Sequence, residues 1–175
     1  RQLATDSVAG KDKNRGVVDF RCVRYPGLIS TETIPTGGTS DFVPEMVHAA
    51  ARGEDYKCFV REDTRIPFMT MPEAIDATLK LAAAPRSELT QIVYNIASFS
   101  PSAGEVAQLV KHYFPDTEIT FEPDERRQAI VDSWPESLDC SVAKQDWGFE
   151  PKYTLEQAFE EYLVPRITKQ YEGVS

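Results

Sequence analysis

A chain of 175 residues with 41% hydrophobic and 27% charged side chains, and a mean hydropathy of −0.39, has the composition of one ordinary globular domain. That excludes a disordered tail, a collagen-like fibre and a disulfide-stapled miniprotein. Twenty-eight acidic against 19 basic residues leave a net charge of −9 and a pI near 4.8, a surface that repels phosphate backbones, so no nucleic-acid partner is expected.

No run approaches the ~18 apolar residues of a membrane span, so no membrane association is expected either. The first thirty residues hold no signal-like apolar core. Cys22, Cys58 and Cys140 are odd in number and contain no C-x-x-C pair, which points to a reducing compartment. With only His48 and His112 beside them, no metal site is expected.

In chain order, residues 3–13 carry a weak helical signal that runs into a polar bend at Asn14 to Gly16. Residues 17–25 read as a strand with Phe20, Cys22 and Arg24 on one face, broken by Pro26-Gly27. A Thr/Ser/Gly/Pro loop over residues 31–41 leads to a helix that Ser40 or Asp41 can cap. Val43, Val47, Ala50 and Ala51 form its buried stripe and Gly53 ends it. Residues 56–60 are a short strand. Pro72 opens a helix with Ile75, Leu79 and Ala82 as the expected buried stripe, ended by Pro85.

Residues 91–96 are a near-continuous apolar strand. Ser100-Pro101 begins a helix with Val106, Leu109, Val110 and Tyr113 at helical spacing. Residues 119–121 are a third short strand after residue 55, and residues 124–131 and 141–146 are helical turns. Thr154 and Gln157 stand at capping-box spacing before a last helix with Leu155, Phe159, Tyr162 and Leu163 inward. Strands alternating with helices at this rhythm make the fold class α/β.

The chemistry-bearing motifs are incomplete. Gly37-Gly38 lacks the spacing of a dinucleotide or phosphate loop, there is no G-x-S-x-G elbow, and no Tyr-x-x-x-Lys pair occurs. What stands out is a set of loops. Tyr25, Pro26, Gly27 and Leu28 follow a strand, and open α/β sheets bind ligands at the carboxyl ends of their strands; a plain chain reversal is the alternative. Gly38, Thr39, Ser40 and Asp41 precede a helix whose amides can hold a carboxylate, against simple capping. Trp134 in a polar loop either closes over a small ligand or packs two elements together. Residues 146–149 read as a helix end with a docked aromatic. Arg65 either meets a substrate phosphate or pairs with an acid.

Taken in order, Phe20 to Ser30, the Gly37-Gly38-Thr39-Ser40-Asp41-Phe42 segment, residues 94–100, residues 129–135 and Asp146-Trp147-Gly148 resemble the L-threonine 3-dehydrogenases of the extended short-chain dehydrogenase type, the UDP-galactose-epimerase-like family, from about residue 17 to residue 165. The resemblance implies the C-terminal part of a Rossmann-type NAD-binding fold plus a small α/β substrate-binding lobe. Residues 1–30 are then the last part of the dinucleotide-binding domain, and residues 31–175 the substrate lobe interleaved with remaining Rossmann elements.

The resemblance also implies NAD-dependent oxidation of L-threonine to 2-amino-3-oxobutyrate. In the family a tyrosine takes the hydroxyl proton, and a lysine four residues later favours its ionised form. That pair and the Gly-rich loop are expected before Arg1, so no catalytic residue is assigned within the chain, and residues 1–16 match the family helix poorly. Carried over residue by residue, Tyr25, Pro26, Gly27 and Leu28 lie against the nicotinamide. Gly38, Thr39, Ser40 and Asp41 receive the substrate, and Trp134 closes the pocket.

The implied partners are L-threonine and either a second copy or the N-terminal half. The implied location is bacterial cytoplasm or mitochondrial matrix. The alternatives are an epimerase-like dehydrogenase acting on a nucleotide sugar or another small substrate, and a non-catalytic binding or dimerisation module. Arg65 as the one basic residue between Asp63 and Met69 suits a small amino acid better than a nucleotide sugar.

Overall fold

The computed structural model describes residues 18–172. The expected helix over residues 3–13 and its bend lie outside them. The chain is α/β with three parallel strand pairs. β1 (Cys22–Arg24) pairs with β5 (Val93–Asn95), β2 (Gly27–Ile29) with β4 (Phe68–Thr70), and β3 (Tyr56–Cys58) with β6 (Ile119–Phe121). Parallel pairing requires crossovers, and the helices supply them. Between the strands lie α1 (Phe42–Ala51), α2 (Met71–Ala83) and α3 (Ala103–Tyr113), while α4 (Glu125–Val131) and α5 (Ser141–Trp147) follow the last strand. The last helix runs from α6 (Leu155–Ala158) through a π turn (Phe159–Leu163) into α7 (Val164–Tyr171).

Two hydrophobic cores share one wall. The first gathers Phe42, Met46, Val47, Val106, Phe159 and Leu163, all with no exposed surface, where α1 packs on α3, β3 and α7. The second gathers Ala74, Ala77, Leu81, Tyr94, Trp147 and Phe149 between α2, α5 and β5. The β2–β4 pair separates them through strand alternation. Ile29 and Phe68 enter the first core, while Leu28 and Met69 face the second. Each fully buried large side chain contributes roughly 1.5–3 kcal/mol.

Local chemistry explains the boundaries. Capping boxes start α3 (Glu105 amide to Ser102 Oγ 3.1 Å, Ser102 amide to Glu105 Oε2 2.7 Å) and α6 (Gln157 amide to Thr154 Oγ1 3.3 Å, Thr154 amide to Gln157 Oε1 2.9 Å). Gly148 at φ 68° ends α5 by returning its amide to Lys144 (3.0 Å), and Gly53 at φ 71° follows α1.

Three expectations need correction. In α2 the buried stripe is Ala74, Ala77 and Leu81, while Ile75 (52%) and Leu79 (63%) face outward and Ala82 is exposed. The helix lies close on β2 and β4, so small residues take the inner face. The first strand is only Cys22–Arg24, because β5 offers no longer ladder, and Phe20 is 46% exposed. The third long helix starts at Ala103, since Pro101 is buried ahead of it and Ser102 is its cap.

Candidate functional site

Pro26 marks a fork. On its N-terminal side the chain pairs through β1 with β5, and on its C-terminal side through β2 with β4. The neighbours of one nearly continuous strand therefore diverge at Tyr25-Pro26, the kind of switch point at the carboxyl end of a strand where open α/β sheets bind ligands. Tyr25 is 44% exposed there, and its hydroxyl pairs with Thr78 of α2. The Gly27 amide donates to Pro67 (3.0 Å), and the Leu28 side chain packs against the second core, so these two are held as parts of a strand.

Gly27 also brings the two candidate segments together. A Cβ placed on it would lie 2.7 Å from the Phe68 ring and 3.3 Å from Ser40 Cβ. No larger residue fits between the strand fork and the Gly38–Asp41 segment.

That segment is a locked turn. The Asp41 carboxylate accepts the Gly38 amide (2.7 Å), and the Asp41 amide donates back to the Gly38 carbonyl (3.1 Å). Asp41 occupies the cap position of α1 but spends its carboxylate on Gly38. Gly37 has φ +90°, a conformation suited to glycine. From outside the turn, Arg127 of α4 donates to the Gly38 (2.7 Å) and Gly37 (3.2 Å) carbonyls, with its guanidinium 3.0 Å above the Phe59 ring centre. Thr39 and Ser40 stand half-buried between these ties, and neither hydroxyl bonds to another described residue.

Trp134 sits just beyond α4, 38% exposed, with its amide on the Val131 carbonyl (2.9 Å). Asp132 forms a two-point pair with Arg61 (2.9 and 3.1 Å) and accepts Gln128 Nε2 (2.7 Å). The Arg61 pairing, followed by the Gln128 bond, holds the Asp132 carboxyl below the usual carboxylate range. Gln128 itself is buried and bonds Thr64 and the Arg61 amide, which seats α4.

Two other loops resolve into structural parts. Asp146 is buried; burial pushes its carboxyl up, but bonds from the Thr90 hydroxyl and amide and from Tyr94 outweigh this and hold it low. Trp147 and Phe149 pack around Tyr94, as the helix-end reading expects. Arg65 pairs with Glu105 (2.9 Å) and bonds the Ser100 carbonyl. It lines a cleft of about 540 Å³ with Phe99, Gln108 and His112 that contains none of the other candidate residues.

The residue that sequence reasoning missed is Arg127, which stands within residues 124–131, read only as a helical turn. Among the described residues no cluster of His, Cys, Asp or Glu has metal-holding geometry, and no helix is long and apolar enough to cross a membrane.

No family model matches the chain. Curated relatives do. The mitochondrial L-threonine 3-dehydrogenase of Bos taurus is 40% identical over 138 residues, 79% of this chain and 37% of its own. An uncharacterized epimerase/dehydratase of Staphylococcus aureus is 40% identical over 139 residues, 79% of this chain and 43% of its own. Among solved structures, the GalE-like L-threonine dehydrogenase of Cupriavidus necator in its apo form superposes with TM-score 0.81 at 40% identity, covering 96% of this chain and 59% of that one. The chain thus spans roughly two-fifths to three-fifths of the length of these relatives. By sequence and by fold, over the part of those proteins that it spans, the chain is a homologue of the epimerase-like L-threonine 3-dehydrogenases.

Proposed function

We propose that the intact gene product oxidises the β-hydroxyl of L-threonine to 2-amino-3-oxobutyrate with NAD, and that this chain builds the substrate side of the pocket. The observation that carries the reading is the contact at Gly27, where the strand fork and the Gly38–Asp41 turn meet with no room for a methyl group. In this reading the nicotinamide lies against Tyr25, Pro26, Gly27 and Leu28 mainly through their backbone groups, away from the Phe68 ring and Ser40 that fill the space over Gly27. A holo form of the Cupriavidus relative exists, in keeping with a nucleotide cofactor.

When bound, NAD supplies the hydride acceptor. The Thr39 and Ser40 hydroxyls, held in a turn that is already ordered, donate to the threonine carboxylate, and the Trp134 indole closes over the side that faces water. No Tyr-x-x-x-Lys pair occurs among the 175 residues, so in this reading groups outside them take the hydroxyl proton.

In this reading residues 1–30 are the last part of the dinucleotide-binding domain, and residues 31–175 are the substrate lobe interleaved with remaining Rossmann elements. The reading extends to a reducing intracellular compartment, bacterial cytoplasm or mitochondrial matrix, in keeping with three free cysteines and a relative named as mitochondrial. It also extends to pairing with a second copy or an N-terminal half. The pairing of Arg65 with Glu105 weighs against the nucleotide-sugar alternative, which would draw on Arg65 as a phosphate ligand.

The test is threonine-dependent NADH formation by the intact gene product. Ser40→Ala and Trp134→Ala should each raise KM for L-threonine about ten-fold while leaving KM for NAD nearly unchanged. NAD chemistry with a UDP-sugar and none with L-threonine would hand the site to the epimerase-like reading. Inactivity with both would leave a binding module.

A further inference from the structure

We infer that Arg127 is the positioning residue of the pocket: it fixes the Gly37-Gly38 turn to α4, so that one short helix sets both the Thr39–Ser40 wall and the Trp134 wall. The inference deepens the proposed threonine site and rests on that reading. Three observations carry it.

First, Arg127 Nη2 donates to both turn carbonyls while the guanidinium carbon lies 3.0 Å from the Phe59 ring centre, so one delocalised cation meets the turn and the ring face together. Among the described residues it has no carboxylate partner within ion-pair distance, so the turn carbonyls and the ring face are what its charge meets.

Second, α4 is itself immobilised. Asp124 caps it through the Arg126 (3.0 Å) and Arg127 (2.9 Å) amides. Gln128 and Val131 are buried, and Arg61 clamps its end through Asp132.

Third, the turn depends on outside support. The residues between β2 and α1 carry no strand pairing, and Gly37 and Gly38 are both exposed. Asp41 closes the turn on itself and Ser40 lies against Gly27, while among the described residues Arg127 ties the Gly37 and Gly38 carbonyls to another element by hydrogen bonds. Trp134 follows from the other end of α4, one turn of backbone bonds past Val131. A shift of the Gly-Gly turn relative to α4 would therefore change the spacing between the hydroxyls and the indole, which sets the fit of a small amino acid.

The experiment compares the wild-type gene product with Arg127→Ala and Arg127→Lys, by amide hydrogen exchange over residues 36–42 and by steady-state kinetics with L-threonine and NAD. The expected result is faster exchange confined to the turn, KM for L-threonine raised about ten-fold or more in Arg127→Ala, KM for NAD little changed, and only partial recovery in Arg127→Lys. An unchanged pH profile should accompany the KM change, because the residue touches no proton in flight.

Unchanged exchange in a folded Arg127→Ala protein overturns the inference. Faster exchange with an unchanged threonine KM overturns it as well. If Arg127→Ala does not fold, a fully wild-type Arg127→Lys in both readouts overturns it. A wild-type protein that does not oxidise threonine defeats the functional reading instead, while the exchange data still decide whether Arg127 holds the turn.

Discussion

Gly27 shows how one missing side chain decides a site. A methyl group there would sit inside contact distance of the Phe68 ring and against Ser40, and Phe68 has no exposed surface into which to retreat. Gly27→Ala should cost roughly 1–3 kcal/mol as an overpacked core position. It should also raise the threonine KM, because the ring and the turn must part. A urea titration run beside the kinetics checks both, and an unshifted midpoint would mean that the strand and turn yield freely.

His48 is a second residue whose setting sets its chemistry. It is 1% exposed on α1, its Nδ1 meets the Tyr171 hydroxyl at 2.8 Å, and its Nε2 has no partner. Burial, followed by the charge of Arg52, lowers its pKa below 6.5. The unfolded chain therefore binds the proton more readily. Stability is full above pH 6.5 and falls as pH drops from there toward the folded value. His48→Gln should flatten that fall, measured as the urea midpoint at pH values above the range where carboxylates titrate. A wild-type midpoint that does not move in this window would contradict the assignment.

At the scale of elements, Glu73 joins three of them. It is 4% exposed; Oε2 accepts the Thr70 amide (3.1 Å) and hydroxyl (2.7 Å), and Oε1 accepts Ser98 (2.9 Å) and the Lys152 (2.8 Å) and Tyr153 (3.1 Å) amides. The start of α2, the loop after β5 and the approach to α6 are thus held by one carboxylate. Glu73→Ala strands several buried donors and should cost about 3 kcal/mol or more, seen as a lower thermal midpoint. A loss near that of an exposed glutamate would mean that water replaces it.

The capping box of α6 was legible because it is local, a hydroxyl and an amide three residues apart, whereas the equivalent Ser102–Glu105 box of α3 was passed over for Ser100-Pro101. The α2 stripe was not legible. Two stripes compete in that helix, one of small residues and one of large, and only the closeness of the β2–β4 pair selects the small one. Arg21 is another such case. It caps the end of α2 through the Ala82 (3.0 Å) and Ala84 (2.7 Å) carbonyls from sixty residues away.

For the whole molecule, the β2–β4 wall with a core on either side makes the chain a single α/β unit despite its three short strand pairs. The outward stripe of Ile75 and Leu79, beside the exposed Tyr25, is the costly feature of this arrangement. The 175-residue chain alone should therefore self-associate, with a light-scattering mass above 19.7 kDa that rises with concentration. The double substitution Ile75→Ser, Leu79→Ser should return it to monomer. A wild-type chain that stays monomeric at high concentration would show that the stripe is too small to bind a partner.

The sequence by itself determined the α/β class, the order and approximate bounds of most elements, the cap of α6, and a set of loops whose order resembles one family. All of these are written in short-range spacing or in runs of residue types that a linear reading sees. Tertiary structure decided the rest. It chose which α2 stripe is buried, turned Asp146 and Arg65 into structural partners, brought the fork at Pro26 against Ser40 through a glycine, and assigned Arg127 to the Gly-Gly turn eighty-nine residues away. Such contacts depend on where a finished sheet and a finished helix come to rest, and a spacing rule carries no information about distances across a fold.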